Sequence, residues 1–262
     1  MSDPAFPPEI EEIIFSLCVQ TDRENNTNLL LVAKRVDQWL RPQLYKVAIV
    51  HDNRRYFGRP RFNGELLKKY GQHVRRLLLW PVSTDESCLH KTATCLSWCP
   101  NVVDLTLWQP DPGYDQRLVD QLLSLPLLHL SFDITRFHNE LMKWPISRTV
   151  SFTSVTHLHL IGIHITVRAE EIKQYFPNLT HMALNGNMGI SHNSILHCWK
   201  NELKVLRWHT SQTNSVSDDP RVVVMQPVRN YVHDWNEATE DGSSFWRRAE
   251  VEVERRRRDA GL

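Results

Sequence analysis

The sequence predicts an α/β solenoid: a short N-terminal helical unit, then a curved parallel sheet with outer helices, then a C-terminal helix that caps the open end. Three observations predict it. An apolar phrase of the form L-x-x-L-x-L recurs seven times between Leu44 and Trp208. Helix-like segments ending in Pro or Asn separate the copies. Both flanks of the array carry apolar residues at helical rather than strand spacing.

Residues 1–43 form the first unit. FPPEIEEIIFSL sets Pro7 and Pro8 ahead of Ile10, Ile13, Ile14 and Leu17, which fall at i, i+3, i+4 and i+7 on one helix face. The polar break QTDRENNTN ends that helix. LLLVAKRVDQWLRPQLY follows, with Leu29, Val32, Val36 and Leu40 at helical spacing until Pro42 interrupts it, and a further fragment holds Leu44 and Tyr45. A unit of about forty residues cannot bury its own stripe, so the stripe must face a partner or the rest of the chain.

Residues 44–210 carry the repeats. The phrases are Leu44-Val47-Ile49, Val74-Leu77-Leu79, Val102-Leu105-Leu107, Leu127-Leu130-Phe132, Val155-Leu158-Leu160, Leu179-Met182-Leu184 and Leu203-Leu206-Trp208, spaced by 30, 28, 25, 28, 24 and 24 residues. A strand followed by a return segment cannot bury its apolar face alone and must stack on copies of itself. The segments SWCPN, SLP, YFPN and CWKN place Cys99, Leu125, Phe176 and Trp199 before the turn into the next strand. Arg168 to Phe176 reads as one return helix, closed by Pro177. Ser83 and Glu86 have capping-box spacing at the start of another, and Arg136 to Ser147 reads as a loop.

Side chains alternate across a strand, so the residues between the leucines should line an exposed concave face. Across the array the first row holds Arg76, Asp104, His129, His157, His181 and Val205. The second holds Leu78, Thr106, Ser131, His159, Ala183 and Arg207, and the third Trp80, Trp108, Asp133, Ile161, Asn185 and His209. Trp80 and Trp108 should be neighbours, and the histidines should form a ladder. Exposed tryptophans and arginines are the residue types that dominate binding hot spots. Trp80, Trp108, His129, His157, His159, His181 and Arg207 are therefore the candidate target-binding residues.

Residues 211–262 begin as a polar loop, TSQTNSVSDDP, and VVVMQPV can add an edge strand. From Ser243 to Arg258 the helical spacing of Phe245, Ala249 and Val253 predicts a helix, with Glu252 to Arg256 and Glu254 to Arg258 as i, i+4 pairs. It would cover the open end of the solenoid. The run Arg255 to Arg258 reads either as a solvated helix end or as a nuclear signal.

The chain has 262 residues, 41% hydrophobic and 23% charged, with 31 Lys and Arg against 30 Asp and Glu. The near balance leaves no global field for nucleic acid or anionic membrane. No apolar window approaches a membrane span and no secretory signal opens the chain, so the expectation is a soluble cytoplasmic or nuclear protein. Five cysteines do not read as a secreted disulfide framework. No phosphate loop, nucleophile elbow or H-E-x-x-H pair is present. Cys88, His90, Cys95 and Cys99 form a metal-like cluster, but C-x-H-x4-C-x3-C is not a usual zinc spacing. Cys99 also aligns with Leu125, Phe176 and Trp199, and Cys95 with Ile172 and Ile195, which are core positions in a stacked repeat.

F-P-P-E-I with Ile14, Phe15 and Leu17, followed by LLLVAKRVDQWLRPQLYKV, resembles an F-box, particularly the F-box-like proteins abundant in fungi. The resemblance covers roughly residues 4 to 50. It implies a unit that docks onto the Skp adaptor of a cullin-RING ubiquitin ligase through Pro7, Pro8, Ile10, Ile14, Leu17 and Leu31, while the remaining chain selects a target protein. The sequence departs from the pattern at Glu11, usually apolar, and at Ile13, often polar. The array resembles leucine-rich repeats in a long, irregular form, whose period is ~20 to 29 residues. Asn187 alone sits at that family's usual asparagine place.

The expectation is a substrate-recognition subunit with no catalytic residue, cofactor or metal of its own, monomeric outside the complex. Two alternatives stand beside it. One is a non-ligase leucine-rich-repeat scaffold whose helical unit is only an N-terminal cap, for which Glu11 is the hint. The other is a zinc-dependent enzyme built on the cysteine and histidine cluster.

Overall fold

In the N-terminal unit α1 spans Pro8–Thr21, α2 Asn26–Leu29 and α3 Lys34–Leu44. The computed structural model describes residues 6–21, 26–51, 64–80, 86–107, 116–133, 151–161, 168–185, 190–200, 202–209, 217–225, 235 and 245–261. Pro42 sits inside α3 rather than ending it. The ring removes one backbone donor near the helix end, where only the last turn is affected. Burial of Val36 and Leu40 against α1, with Leu44 packed beside them, holds that turn in place.

The expected register of the first phrase, Leu44-Val47-Ile49, is corrected by one residue: Tyr45, stacked on Tyr70, and Ala48, paired with Leu77, take the core places, so Val47 and Ile49 lie on the opposite face. The eight strands each alternate a core residue with one of the opposite face. These are β1 Val47–His51, β2 Arg76–Trp80, β3 Asp104–Leu107, β4 His129–Asp133, β5 His157–Ile161, β6 His181–Asn185, β7 Val205–His209 and β8 Val222–Met225. All eight pair in parallel, in sequence order, in one sheet. The strand β8, expected only as an edge in the tail, extends the sheet past residue 210.

Parallel neighbours need a return segment, and helices supply it. They are α4 Gly64–Tyr70, continued by a 3₁₀ turn at Gly71–His73, α5 Glu86–Ser97, α6 Gln116–Ser124, α7 Ala169–Tyr175 and α8 His192–Cys198. Their apolar faces meet one face of the sheet. Leu77, Leu105, Leu130, Leu158, Met182 and Leu206 run across it as a continuous buried row. Each such side chain contributes ~1.5 to 3 kcal/mol by leaving water. Cys99, Leu125, Phe176 and Trp199 are all buried in the same core, as their common place before the turn predicts.

The last helix, α9, spans Phe245–Asp259. Its expected stripe, Phe245, Ala249 and Val253, is buried together with Trp246, but its position corrects the expectation of an end cap. The helix lies on the second face of the sheet, opposite the return helices, with Ala249 and Val253 against Val205 and Val223. Phe245 and Trp246 pack on Ala183. It also reaches the end strand, where Arg256 Nη1 donates to the Val222 carbonyl at 2.8 Å. Small and β-branched residues on β6 to β8 leave a shallow apolar strip there, which fits this stripe. Among the described residues, no helix is long and apolar enough to cross a membrane.

Candidate functional site

The helical unit turns one face inward and one outward. Phe15 and Val19 of α1 join Val36, Leu40 and Trp39 in a small core of their own. The packing face is fixed by polar ties as well. Arg35 donates through Nε and Nη2 to the two carboxylate oxygens of Glu11 at 2.8 and 3.0 Å, and Gln43 Nε2 donates to Ser16 Oγ at 2.8 Å. Glu11, the departure in the sequence pattern, therefore holds α1 to α3. Ile10, Ile14, Leu17 and Leu31 remain 43, 42, 55 and 84% exposed, and Ile13 and Val32 are exposed beside them. Pro7 and Pro8 are exposed too, the Pro7 carbonyl accepting from the amides of Ile10 and Glu11. These residues do not pack against the first strands.

On the second face the first two rows fall in the register that the repeats predict from Arg76 onward, and the third does from Asp133 to His209. Arg76, Asp104, His129, His157, His181 and Val205 pair in order, and so do Leu78, Thr106, Ser131, His159, Ala183 and Arg207. The histidine ladder is formed: the His129 and His157 rings lie 4.3 Å apart and the His157 and His181 rings 4.1 Å, the latter pair stacked. The expected exposure of this face is corrected over half its width. His159, His181 and Arg207 are 3, 6 and 1% exposed, because the tail helix covers them. The Arg207 guanidinium lies 4.7 Å over the Phe245 ring, and the Trp246 ring meets His157 and His181 edge-on. His181 Nε2 lies 3.2 Å from the Glu250 carboxylate.

The other half of the face stays open to a cavity of about 450 Å³. Its walls include Trp235, Phe245 and Trp246, its floor Thr106 and Ser131. Ser131 Oγ is 3.2 Å from His159 Nδ1. Arg76 Nε is 2.9 Å from Asp104 Oδ2, His129 Nδ1 is 3.6 Å from the same oxygen, and the Arg76 guanidinium stacks 4.9 Å over Trp235. Burial pushes the Asp104 carboxyl up, but the contacts with His129, Arg76 and Trp235 outweigh it and hold the group below the usual carboxylate range. Trp80 is half-buried in a cluster with Leu78 and Trp235. Trp108 and Asn187 lie outside the described residues, as do the loop from Arg136 to Ser147 and the side chains of Cys88 and His90.

Spacing alone did not find Trp235, Trp246 or Glu250 as partners of this face. Trp246 stands next to Phe245, a signal that the helix start is doubly aromatic, but neither it nor Trp235 carries a repeat position. Of the cysteine cluster, Cys95 and Cys99 belong to the core. Cys99 is fully buried, and burial with the nearby Cys95 pushes its thiol up to about 12, as for a small buried hydrophobe. Among the described residues, no group of three Asp, Glu, His or Cys side chains could hold a metal ion.

The ladder makes stability depend on pH. Burial, then repulsion from His129, His181 and Lys204, lowers His157 to about 2, against about 6.5 for a free imidazole. His181 is also lowered, mainly by burial, although the Glu250 carboxylate beside it favours protonation. The folded protein keeps His157 neutral, whereas the unfolded chain binds a proton below about pH 6.5. The contribution is therefore present above that pH and lost as pH falls, by up to about 1.4 kcal/mol per unit. A melting series from pH 7 to pH 5 is expected to show a falling Tm, and His157→Phe, which keeps the stack, to flatten the slope. An unchanged slope in the variant would assign the effect elsewhere.

No protein-family profile matches this sequence, and no curated protein shows significant similarity to it.

Proposed function

We propose that this protein is the substrate-recognition subunit of a cullin-RING ubiquitin ligase: an F-box-like unit that binds a Skp-type adaptor, joined to an irregular leucine-rich-repeat solenoid that holds a target protein. The observation that carries this reading is the outward apolar face of the helical unit, Ile10, Ile14 and Leu17 of α1 with Leu31 in the turn before α3. Apolar side chains grouped on a small helical unit, while its polar residues tie the helices together, suit a protein partner. The position of those residues in the F-P-P-E-I pattern directs the choice of partner.

The protein supplies no catalytic group under this reading and works in the cytoplasm or nucleus by holding a target near the ligase. Target contacts belong to the uncovered part of the second face, around Trp80, His129 and His157. His159, His181 and Arg207 support the tail helix instead, and Trp108 remains a candidate from its repeat position. Exchange of Ile14 and Leu17 for Asp together is expected to abolish co-purification with the adaptor while the melting profile of the repeats is retained. Adaptor capture at the wild-type level would refute the assignment. A second reading, an interaction scaffold outside any ligase, draws on the Glu11 to Arg35 tie, which serves the unit's own fold. Under it the wild-type chain fails to capture the adaptor at all.

A further inference from the structure

The cavity between the second face and the tail helix has an unbalanced lining. Each of its carboxylates is matched: Asp104 by Arg76 at 2.9 Å, and Glu250 by Arg247 at 3.2 Å. Lys46 and Arg75 also line it and have no acidic partner among the described residues; Arg75 Nη1 donates only to the Asn101 carbonyl at 3.3 Å. Both side chains are exposed and precede β1 and β2, so the surplus positive charge lies at the mouth. Deeper in, the walls are aromatic, with Trp235, Trp246 and the His129 and His157 rings, tilted against each other at 4.3 Å. At the floor Thr106 is fully buried, and its Oγ1 has no hydrogen-bond partner among the described residues.

We propose that this cavity binds a tyrosine-like acid, an aromatic ring with a carboxylate at one end and a hydroxyl at the other, either free or as the last residue of a partner chain. The volume is in the range of small-molecule sites, ~300 to 1,000 Å³. The carboxylate meets Lys46 and Arg75, the ring lies among the aromatic walls, and the hydroxyl pairs with Thr106. Arg75 is level with Val103, three residues before Thr106 on the neighbouring strand, so mouth and floor are ~10 Å apart along the sheet. That span suits a hydroxyphenyl group carrying a carboxylate. A ligand without the hydroxyl leaves Thr106 unpaired and forfeits that bond.

The proposal rests on the second face being the recognition face and not on adaptor binding. It is tested on the full chain by calorimetric titration with N-acetyl-tyrosine, its amide and N-acetyl-phenylalanine. The expected order is acid tightest, with the amide and the phenylalanine analogue each about tenfold weaker. Lys46→Glu with Arg75→Glu is expected to weaken the acid more than tenfold. Thr106→Val is expected to keep the melting temperature of the free protein and to lose the preference for tyrosine over phenylalanine. A peptide ending in tyrosine that binds tighter than the free acid identifies a chain end as the ligand; equal or weaker binding identifies the free acid. No heat with N-acetyl-tyrosine, equal binding of the amide, or an unaffected double variant overturns the proposal. The Ile14→Asp, Leu17→Asp protein should bind the acid as the wild type does, so loss of the adaptor reading leaves this result separate.

Discussion

Gly71→Ala is expected to be the most damaging single-methyl change in the described part of the chain. Gly71 is buried in the 3₁₀ turn after α4, pressed on the end of α5. A Cβ there would overlap the carbonyl oxygen of Trp98 and lie 2.9 Å from its carbonyl carbon and 3.0 Å from Cys99 Sγ. The obstacle is backbone, which cannot rotate away as a side-chain tip can. Overpacking of this kind costs ~3 kcal/mol or more, a fall in melting temperature of roughly 6 to 12 °C for a chain of this size. Gly64→Ala is the control. Its Cβ would sit 3.7 Å from the Trp98 ring, an ordinary contact, and at the start of α4 it should be neutral or slightly stabilising. Equal melting temperatures for both variants would show that the turn shifts freely and that the two repeats are not locked at this point.

Removing the aromatic pair of the tail helix, Phe245→Ala with Trp246→Ala, is expected to release α9 from the sheet. Each truncation of a buried aromatic costs ~3 to 5 kcal/mol, and the two rings touch, so the sum is not additive. The rest of the helix offers little to replace them: Ala249 and Val253 complete its buried stripe, and the remainder is mostly Arg and Glu. Surface pairs such as Arg255 with Glu252 are each worth less than ~1 kcal/mol. Hydrogen exchange should show amide protection lost across residues 245–259 and retained in β2 to β5. The same change returns water to His157, so the loss of stability toward pH 5 should shrink with it. Protection that persists in α9 would mean that Arg256 and the two small apolar residues suffice to hold it.

What could be read from the sequence was whatever the chain dictates locally. Leucine spacing placed β2 to β7, but the first phrase was one residue out, since Tyr45 and Ala48 take the core places and Val47 and Ile49 lie on the second face, and β8 carries no such phrase. The pairing of His129 with His157 and His181 followed from register alone, since a parallel stack leaves no freedom once each phrase is aligned. The core role of Cys99 followed in the same way from Leu125, Phe176 and Trp199. Long-range partners were not legible. Phe245, Ala249 and Val253 announce a face that must be buried, but nothing in their spacing says whether it closes an end or crosses a sheet. The choice was made by the shallow strip of Ala183, Val205 and Val223, residues that read as unremarkable within their own repeats. Trp235 has no periodic neighbours at all. Glu11 was visible only as a departure from a pattern, and its reason, Arg35, lies 24 residues away. Pro42 was over-read, since a proline near the end of a helix costs one bond rather than the helix.

Two independent surfaces follow. The helical unit keeps its polar ties inside and its isoleucines outside, and the sheet keeps one half of its second face under the tail and the other half open. The adaptor reading concerns the first surface only, and the most direct measurement of it is titration of the purified 262-residue chain with a purified Skp-type adaptor. Stoichiometric binding is expected, with a negative heat-capacity change from burial of Ile10, Ile14, Leu17 and Leu31, and with no binding by the Ile14→Asp, Leu17→Asp chain. Absence of binding by the wild-type chain, with the repeats folded, would contradict the proposed function and leave an interaction scaffold in its place.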